Sequence, residues 1–309
     1  MRKGGVVSIG ECMLELSGGK NSNWRLGYAG DTFNTLWAIR ALTPESMPAD
    51  YVSAFGDDPF SVQQKAFFAE NGIGTAASPV IPGRRPGLYA ITLTGAERSF
   101  TYWRADSAAR LLADDKAALK KSLENRRLIY FSGITLAILE EDARKTLFAT
   151  IREARQSGSR IAFDPNYRSR LWTAEDAARA AFDKALALCD IALPTFPDEE
   201  SLYGDADPQA TVRRMRDAGV GEVVVKNGSD PVVLFADGKE SVIGAEPVAN
   251  PVDTTGAGDS FNGAYLAARL AGDAPEAAVR RAHRVAAAVI QVHGALAPFE
   301  VLREAFNQS

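Results

Sequence analysis

The stretch Asp253-Thr254-Thr255-Gly256-Ala257-Gly258-Asp259-Ser260-Phe261 runs directly into an apolar helical pattern. Gly256 and Gly258 let the backbone turn tightly around Ala257 and aim unpaired N–H groups at one point, and the following helix adds the positive end of its dipole. An anion is the expected occupant. Asp259 is then anomalous, because a carboxylate facing an anion hole does not help to hold the anion. Either it caps the helix, as Asp or Ser commonly does, or it accepts the proton of a hydroxyl that attacks a bound phosphoryl group. The Gly-x-Gly-Asp fragment alone admits both readings.

Other phosphate machinery is missing. The dinucleotide fingerprint needs a third glycine three residues after the second, whereas Gly263 comes five after Gly258 and near the wrong end of the chain. Neither a Gly-x-x-x-x-Gly-Lys-Ser/Thr loop nor the Asp-Phe-Gly and His-Arg-Asp triplets of protein kinases occur.

A second group of residues suits a small polyhydroxy acid. Tyr102 and Arg104 are two apart on a strand-like run and project from one face, with Tyr89 on the neighbouring run beside them. A guanidinium pairs with a carboxylate and phenols add O–H donors; the same aromatics could instead pack against the chain's own core or a second subunit. Arg168 follows a strand ending at Asp164, where open α/β sheets bind ligands, although a surface salt bridge would also account for it. Gly30, Asp31 and Asn34 open a helix, where glycine permits close approach and the polar side chains can bond hydroxyls or cap.

The elements that must position these groups are α/β. Short apolar runs at Val6 to Ile9, Tyr51 to Phe55, Leu128 to Phe131, Arg160 to Phe163, Ile191 to Leu193, Glu222 to Val225 and Val232 to Phe235 alternate with helical segments, the pattern of a mainly parallel sheet. Helices are expected from about Leu139 to Gln156, Asp259 to Ala271, Pro275 to Val292 and after Pro298. Leu88 to Thr94 and Arg98 to Trp103, joined by Gly95, Ala96 and Glu97, read as an antiparallel hairpin. With two short strands between Glu11 and Ala29 it could form a small separate sheet, a lid spanning about 11–29 and 86–104 on a single domain of residues 1–309.

Composition narrows the class. Among 309 residues, 35 basic against 39 acidic side chains give a net charge of -4, and no basic stripe is present, so nucleic acid is not an expected partner. The N-terminal apolar run is too brief for a signal peptide or a membrane span. Cys12 and Cys189 are far apart and the histidines His283 and His293 have no cysteine nearby, so neither a disulfide framework nor a zinc site can be drawn. The cytoplasm is the expected compartment, and the sequons at Asn227 and Asn307 are chance matches.

Taken together, Asp253 to Phe261 and Gly27-Tyr28-Ala29-Gly30-Asp31-Thr32-Phe33-Asn34-Thr35 resemble the two signatures of the PfkB/ribokinase family of sugar kinases, and the likeness covers nearly the whole chain. Within the family, Ile9-Gly10-Glu11-Cys12-Met13, Arg85-Pro86-Gly87-Leu88-Tyr89, Tyr102-Trp103-Arg104 and Asp164-Pro165-Asn166-Tyr167-Arg168-Ser169-Arg170-Leu171-Trp172 are similar to strings of its 2-keto-3-deoxygluconate kinases. The resemblance implies a ribokinase-like three-layer α/β/α core with a small β-sheet lid. It also implies ATP and Mg2+ as cofactors, phosphorylation of the keto acid at O6, Asp259 as general base and the Gly256, Ala257 and Gly258 backbone as anion hole. Gly30, Asp31, Asn34, Tyr89, Tyr102, Arg104 and Arg168 would bind the sugar. Asn166, Lys226, Gly228 and His283 would lie toward the nucleotide, with His283 where the family pattern has an asparagine. Where relatives have Asn-x-x-Glu linked to magnesium, this chain has Thr195 and Asp198, leaving Asp198 as the candidate metal contact. Asp253 and Thr255 resemble a monovalent-cation (K+) loop. A homodimer through the lids, or a larger assembly of such pairs, is implied. A neutral-sugar kinase of fructokinase or ribokinase type, and a catalytically silent sugar sensor on the same scaffold, are the alternatives.

Overall fold

The computed structural model describes residues 4–18, 23–94, 97–245 and 248–308. Its strands are β1 (Val6–Ile9), β2 (Met13–Gly18), β3 (Trp24–Ala29), β4 (Ala49–Val52), β5 (Phe55–Gly56), β6 (Val80–Ile81), β7 (Leu88–Thr94), β8 (Glu97–Trp103), β9 (Leu128–Ser132), β10 (Arg160–Asp164), β11 (Ile191–Ala192), β12 (Glu222–Asn227), β13 (Asp230–Ala236) and β14 (Lys239–Ile243). Its helices are α1 (Asp31–Leu42), α2 (Pro59–Glu70), α3 (Lys116–Leu123), α4 (Gly133–Ile138), α5 (Glu141–Gln156), α6 (Glu175–Leu186), α7 (Phe196–Tyr203), α8 (Pro208–Asp217), α9 (Ala257–Ala271), α10 (Pro275–Val289) and α11 (Phe299–Asn307).

The apolar strand runs bury both faces, as a sheet covered by helices on each side requires. Their side chains alternate strictly between two cores. Val6, Leu128, Tyr130, Ala162 and Val224 pack with Phe33 and Leu36 of α1, Tyr265 of α9 and Val279 of α10. Val7, Ile129, Phe131, Ile161, Phe163 and Val225 pack on the other face with Leu147 of α5, Phe182 of α6 and Met215 of α8. The sheet has eight strands in the order β14-β13-β12-β11-β10-β9-β1-β4. It is parallel from β4 to β12 and antiparallel only at its β13 and β14 edge. Because the chain runs from β1 to β4 on one side and then crosses back to β9 on the other, the strand order reverses at β1 and opens a crevice at the C-terminal strand ends, where ligands of such sheets bind.

The small sheet is separate and four-stranded, in the order β3-β2-β7-β8. It joins the predicted hairpin to the two short strands expected between Glu11 and Ala29, with β2 and β7 parallel at the seam. Gly95 and Ala96 of the expected turn lie outside the described residues, and Glu97 already belongs to β8, paired with Thr94.

Several predicted boundaries move. The single strand expected over Tyr51 to Phe55 divides at Ser53: β4 enters the large sheet, whereas β5 pairs with β6 in a sheet of its own, and the Ser53 N–H donates to the Ser78 hydroxyl instead of a ladder. Leu139 is not the first residue of α5 but the C-cap of α4, a short helix started by a Ser132 capping box. The helix expected to reach Val292 ends at Val289. β14 was not legible because two of the five residues of its sequence KESVI are charged and the strand is mostly exposed at the sheet edge. Cys12 and Cys189 are both buried free thiols.

One glycine sets how closely the site-bearing helices approach. A Cβ on Gly263 of α9 would stand 2.5 Å from the Thr35 carbonyl oxygen and 2.6 Å from the Ala38 Cβ of α1. Gly263→Ala should therefore lower the melting temperature, since overpacking costs about 1–3 kcal/mol against a helix-propensity gain of about 1 kcal/mol. A thermal melt at or above that of the native chain would show that α1 and α9 tolerate separation.

Candidate active site

The first turns of α1 and α9 meet across the crevice. Gly256 is the N-cap of α9 in the left-handed region, φ 75°, where an L side chain is disfavoured; its Cβ would also stand 2.9 Å from the Ala295 carbonyl oxygen. The N–H groups of Gly258 and Asp259 then open the helix with no intrahelical acceptor available, while the Ala257 N–H turns back to the Thr254 carbonyl at 3.3 Å. Asp259 is not the N-cap, which is Gly256, but lies inside the first turn of α9. Its Oδ2 instead accepts from Asn34 Nδ2 at 2.8 Å, and its carbonyl accepts from the Thr35 hydroxyl at 3.2 Å. Asn34 is held for this by the Gly30 N–H, which donates to its Oδ1 at 3.3 Å.

Burial, reinforced by the charge of Asp31, pushes the Asp259 carboxyl up to about 7, against the stabilising bond from Asn34. Burial also raises Asp31, with hydrogen bonds from Ser132 and Asn166 opposing. The Asn166 side chain donates to Asp31 Oδ2 at 2.8 Å, and its backbone N–H to Asp164 Oδ1 at 3.0 Å. To make both bonds Asn166 adopts φ 37°, a left-handed conformation that Asn tolerates better than most residues.

Beneath this lies a buried charge pair. Lys226 Nζ donates to Asp164 Oδ2 and to Asn262 Oδ1, both at 2.9 Å. Asn262 closes the triangle by donating to the same Asp164 oxygen at 2.7 Å. A Cβ on Gly258 would be 3.9 Å from Lys226 Nζ, so the ammonium lies next to the first turn of α9 with one N–H to spare.

Gly30, Asp31, Asn34, Tyr89, Tyr102, Arg104, Arg168 and Asp259 all line one cleft of about 210 Å³, together with Asn166. Their partners were not all foreseen. Arg104 is ion-paired with Glu11, the two side chains 12% and 1% exposed, so its charge is already met; its Nε has no partner. Tyr89 donates to Glu15. Arg168 is paired with Asp198 at 3.0 Å. Glu11, Glu15, Asn262 and Arg170 were missed as site residues. Glu15 could have been found from alternation, since it shares a ladder row with Tyr89. Asn262, three residues past Asp259 on α9, carried no signal beyond helical spacing.

The residues expected toward the nucleotide fall in two places. Lys226 is in the floor just described, and Gly228 forms the β12–β13 turn at φ 59°. His283 lines a different groove of about 460 Å³, with Val242, Gly244, Arg280 and Arg284. Its ring meets Phe261 edge-on at 5.4 Å, its Nε2 is buried without a partner, and burial lowers its pKa to about 4. Asp253 orders the loop before α9, accepting from the N–H of Thr255 at 2.9 Å and of Gly294 at 3.0 Å. No group of three or more His, Cys, Asp or Glu residues that could hold a metal occurs among the described residues. Asp198 is a single carboxylate, and Thr195 is the N-cap of α7 without a side-chain capping bond.

A carboxylate raised to about 7 beside a helix N-terminus and a buried ammonium suits proton removal next to a bound anion. Comparison with known proteins identifies the family. The family model described as pfkB family carbohydrate kinase matches residues 3–302. The 2-dehydro-3-deoxygluconokinase of Escherichia coli K12 is 39% identical over 305 residues, 96% of this chain and 98% of that protein. The protein of the same name from Dickeya dadantii is 39% identical over the same shares. In fold, the crystal structure of 2-dehydro-3-deoxygluconokinase from Thermotoga maritima superimposes with a TM-score of 0.84 at 21% identity, covering 99% of this chain and 100% of that one. On the extent of that match, and with a cleft to fit it, this chain belongs to the pfkB family of carbohydrate kinases.

Proposed function

We propose that this carbohydrate kinase transfers the γ-phosphoryl group of ATP to O6 of 2-keto-3-deoxy-D-gluconate, the substrate named in its relatives 39% identical to it. The observation that carries the residue roles is the single cleft in which Asp259, Asp31 and Asn34 face arginines and tyrosines from the small sheet and from the loop after β10. Asp259 takes the O6 proton as that oxygen attacks the γ-phosphorus in line and the bond to ADP breaks; the proton later passes to solvent. Asn34 fixes the Asp259 carboxylate and Asp31 grips sugar hydroxyls. The Gly256 to Gly258 turn and Lys226 face the transferred group, whose developing charge they stabilise. Asn166 links Asp31 to the phosphate side, and Gly228 and His283 border the nucleotide.

Mg2+ neutralises phosphate charge when bound with the nucleotide, and it is commonly held by phosphates, water and one or two carboxylates. Asp198 is the proposed carboxylate for that role, and it already accepts from Arg168 at 3.0 Å; no group of three or more His, Cys, Asp or Glu that could form an all-protein cage occurs among the described residues. A K+ ion at Asp253 and Thr255 is part of the same reading. So is a cytoplasmic location, supported by the two buried free thiols; no helix among the described residues is long and apolar enough to cross a membrane.

The small sheet is the proposed lid of a single domain, and the proposed dimer interface. Tyr89 is buried and Tyr102 lines the cleft, but Trp24, Leu26, Phe100 and Trp103 are 46%, 40%, 40% and 58% exposed, more apolar surface than a sugar can cover.

An ADP-release assay over keto-deoxy acids, fructose, ribose and adenosine, with and without K+, should show turnover of the acids. Turnover of the neutral compounds alone would move the assignment to a neutral-sugar kinase. No turnover of any would leave a binding protein.

With the base near 7, kcat/KM should rise with pH through about 7, and Asp259→Asn should lose about a hundredfold or more in kcat while keeping ligand affinity. Stability moves the other way. A carboxyl whose folded pKa lies above its unfolded value favours the fold while protonated, below about pH 4, and that contribution is gone once pH passes about 7. Asn is neutral throughout, so the variant should gain stability relative to the native chain as pH rises from about 4 to about 8. Near-normal turnover, or a stability difference between the two that stays constant over that pH range, would count against the base.

Light scattering at micromolar protein should give the dimer mass. A particle that stays at the 33.1 kDa of one chain at every concentration would exclude the lid interface.

A further inference from the structure

Three arginines line the cleft, Arg104, Arg168 and Arg170, and two of them are already neutralised, by Glu11 and by Asp198. Arg170 is not. It is exposed at the cleft rim, in the short helical turn that follows β10. Its Nη2 donates to the Tyr102 hydroxyl at 2.6 Å, and its guanidinium lies over the Tyr102 ring, 4.3 Å from the centroid. That hydroxyl is its one hydrogen-bond partner among the described residues.

A guanidinium carries five N–H donors in one plane. Stacked on a ring and tied by a single bond, it loses its freedom to rotate and presents the remaining donors as a fixed fork, the geometry that accepts a carboxylate through two parallel bonds. The cleft is also polarised. Asp31 and Asp259 make one part of it acidic and repel a carboxylate, while Arg170 brings a positive charge with no counter-ion among the described residues. A hydroxy acid entering this field turns its acid group toward Arg170 and its hydroxyl toward Asp259, so one interaction selects the substrate class and orients the acceptor.

We infer that Arg170, with Tyr102 as the platform that fixes its guanidinium, is the specificity-determining residue that binds the carboxylate end of the sugar acid. The inference rests on the keto-acid reading of the substrate. Arg104, whose charge is met by Glu11, then contributes its unpartnered Nε–H to the sugar without reading the acid group.

The test is steady-state kinetics of Arg170→Ala on 2-keto-3-deoxygluconate and on 3-deoxyfructose, its neutral counterpart with an alcohol in place of the carboxylate. KM for the acid should rise about ten- to hundredfold with kcat little changed, as loss of a charged hydrogen bond remote from the reacting centre predicts, while KM for the neutral compound stays within about threefold. Arg170→Lys, which keeps the charge but not the fork, should recover part of the acid's KM and nothing for the neutral compound. An equal rise for both substrates would show that Arg170 only supports the small sheet, and no rise for either would remove it from the site; each overturns the assignment. A native enzyme that turns over 3-deoxyfructose and not the acid overturns the substrate reading itself. A native enzyme selective for the acid, whose Arg170→Ala variant remains equally selective, overturns the Arg170 assignment alone.

Discussion

The 2.8 Å hydrogen bond from Asn34 to Asp259 is the contact on which the cleft depends, because it joins the first turns of two helices far apart in the chain. It forms only if α1 and α9 approach until backbone touches backbone, which the absence of a side chain at Gly263 allows. The same approach sets the turn that opens α9, since Gly256, Gly258 and Asp259 share its start. Thr35 adds a second bond to the Asp259 carbonyl, so both the side chain and the backbone of the carboxylate are referred to α1. The Asp259 carboxylate, α1 and the Gly256 to Gly258 turn are thus one mechanical unit.

Three carboxylates lie together in this crevice, and their different partners separate their chemistry. Asp164 has a buried lysine, whereas Asp31 has amide and hydroxyl donors and Asp259 has Asn34. A donor without charge offsets less of the desolvation penalty than a cation does, and burial accordingly raises both Asp31 and Asp259. A carboxylate poised near 7 accepts a proton readily at neutral pH, and a cation placed directly against it would remove that property. Lys226 is bonded instead to Asp164 and Asn262, close to the first turn of α9 without pairing directly with Asp259.

The small sheet works by register. Gly27, Glu15, Tyr89 and Tyr102 are successive partners across its four strands, a single row that continues into Arg170 of the core through the Tyr102 hydroxyl. A slip of one residue in any strand would turn that row to the opposite face. Tyr89, Phe100 and Tyr102 lie ring against ring at 5.7 to 6.3 Å, which stiffens the wall of the cleft with side chains that have few rotamers to lose.

Much of this was legible in the sequence. Strictly alternating apolar strands, the hairpin that interrupts the βα alternation, and the Gly-x-Gly-Asp turn before a helix are local signals, because strand pleat, turn chemistry and helix start depend on neighbouring residues. The residues of the cleft were legible as types. Their charge states were not. That Arg104 is neutralised by Glu11, that Lys226 is anchored by Asn262, and that Asp259 bonds Asn34 in preference to capping its own helix are contacts across 93, 36 and 225 residues of chain. Ion pairing and desolvation depend on distance in space, so only the packed sheet and helices decided which arginine remained without a counter-ion and which carboxylate was raised toward neutrality.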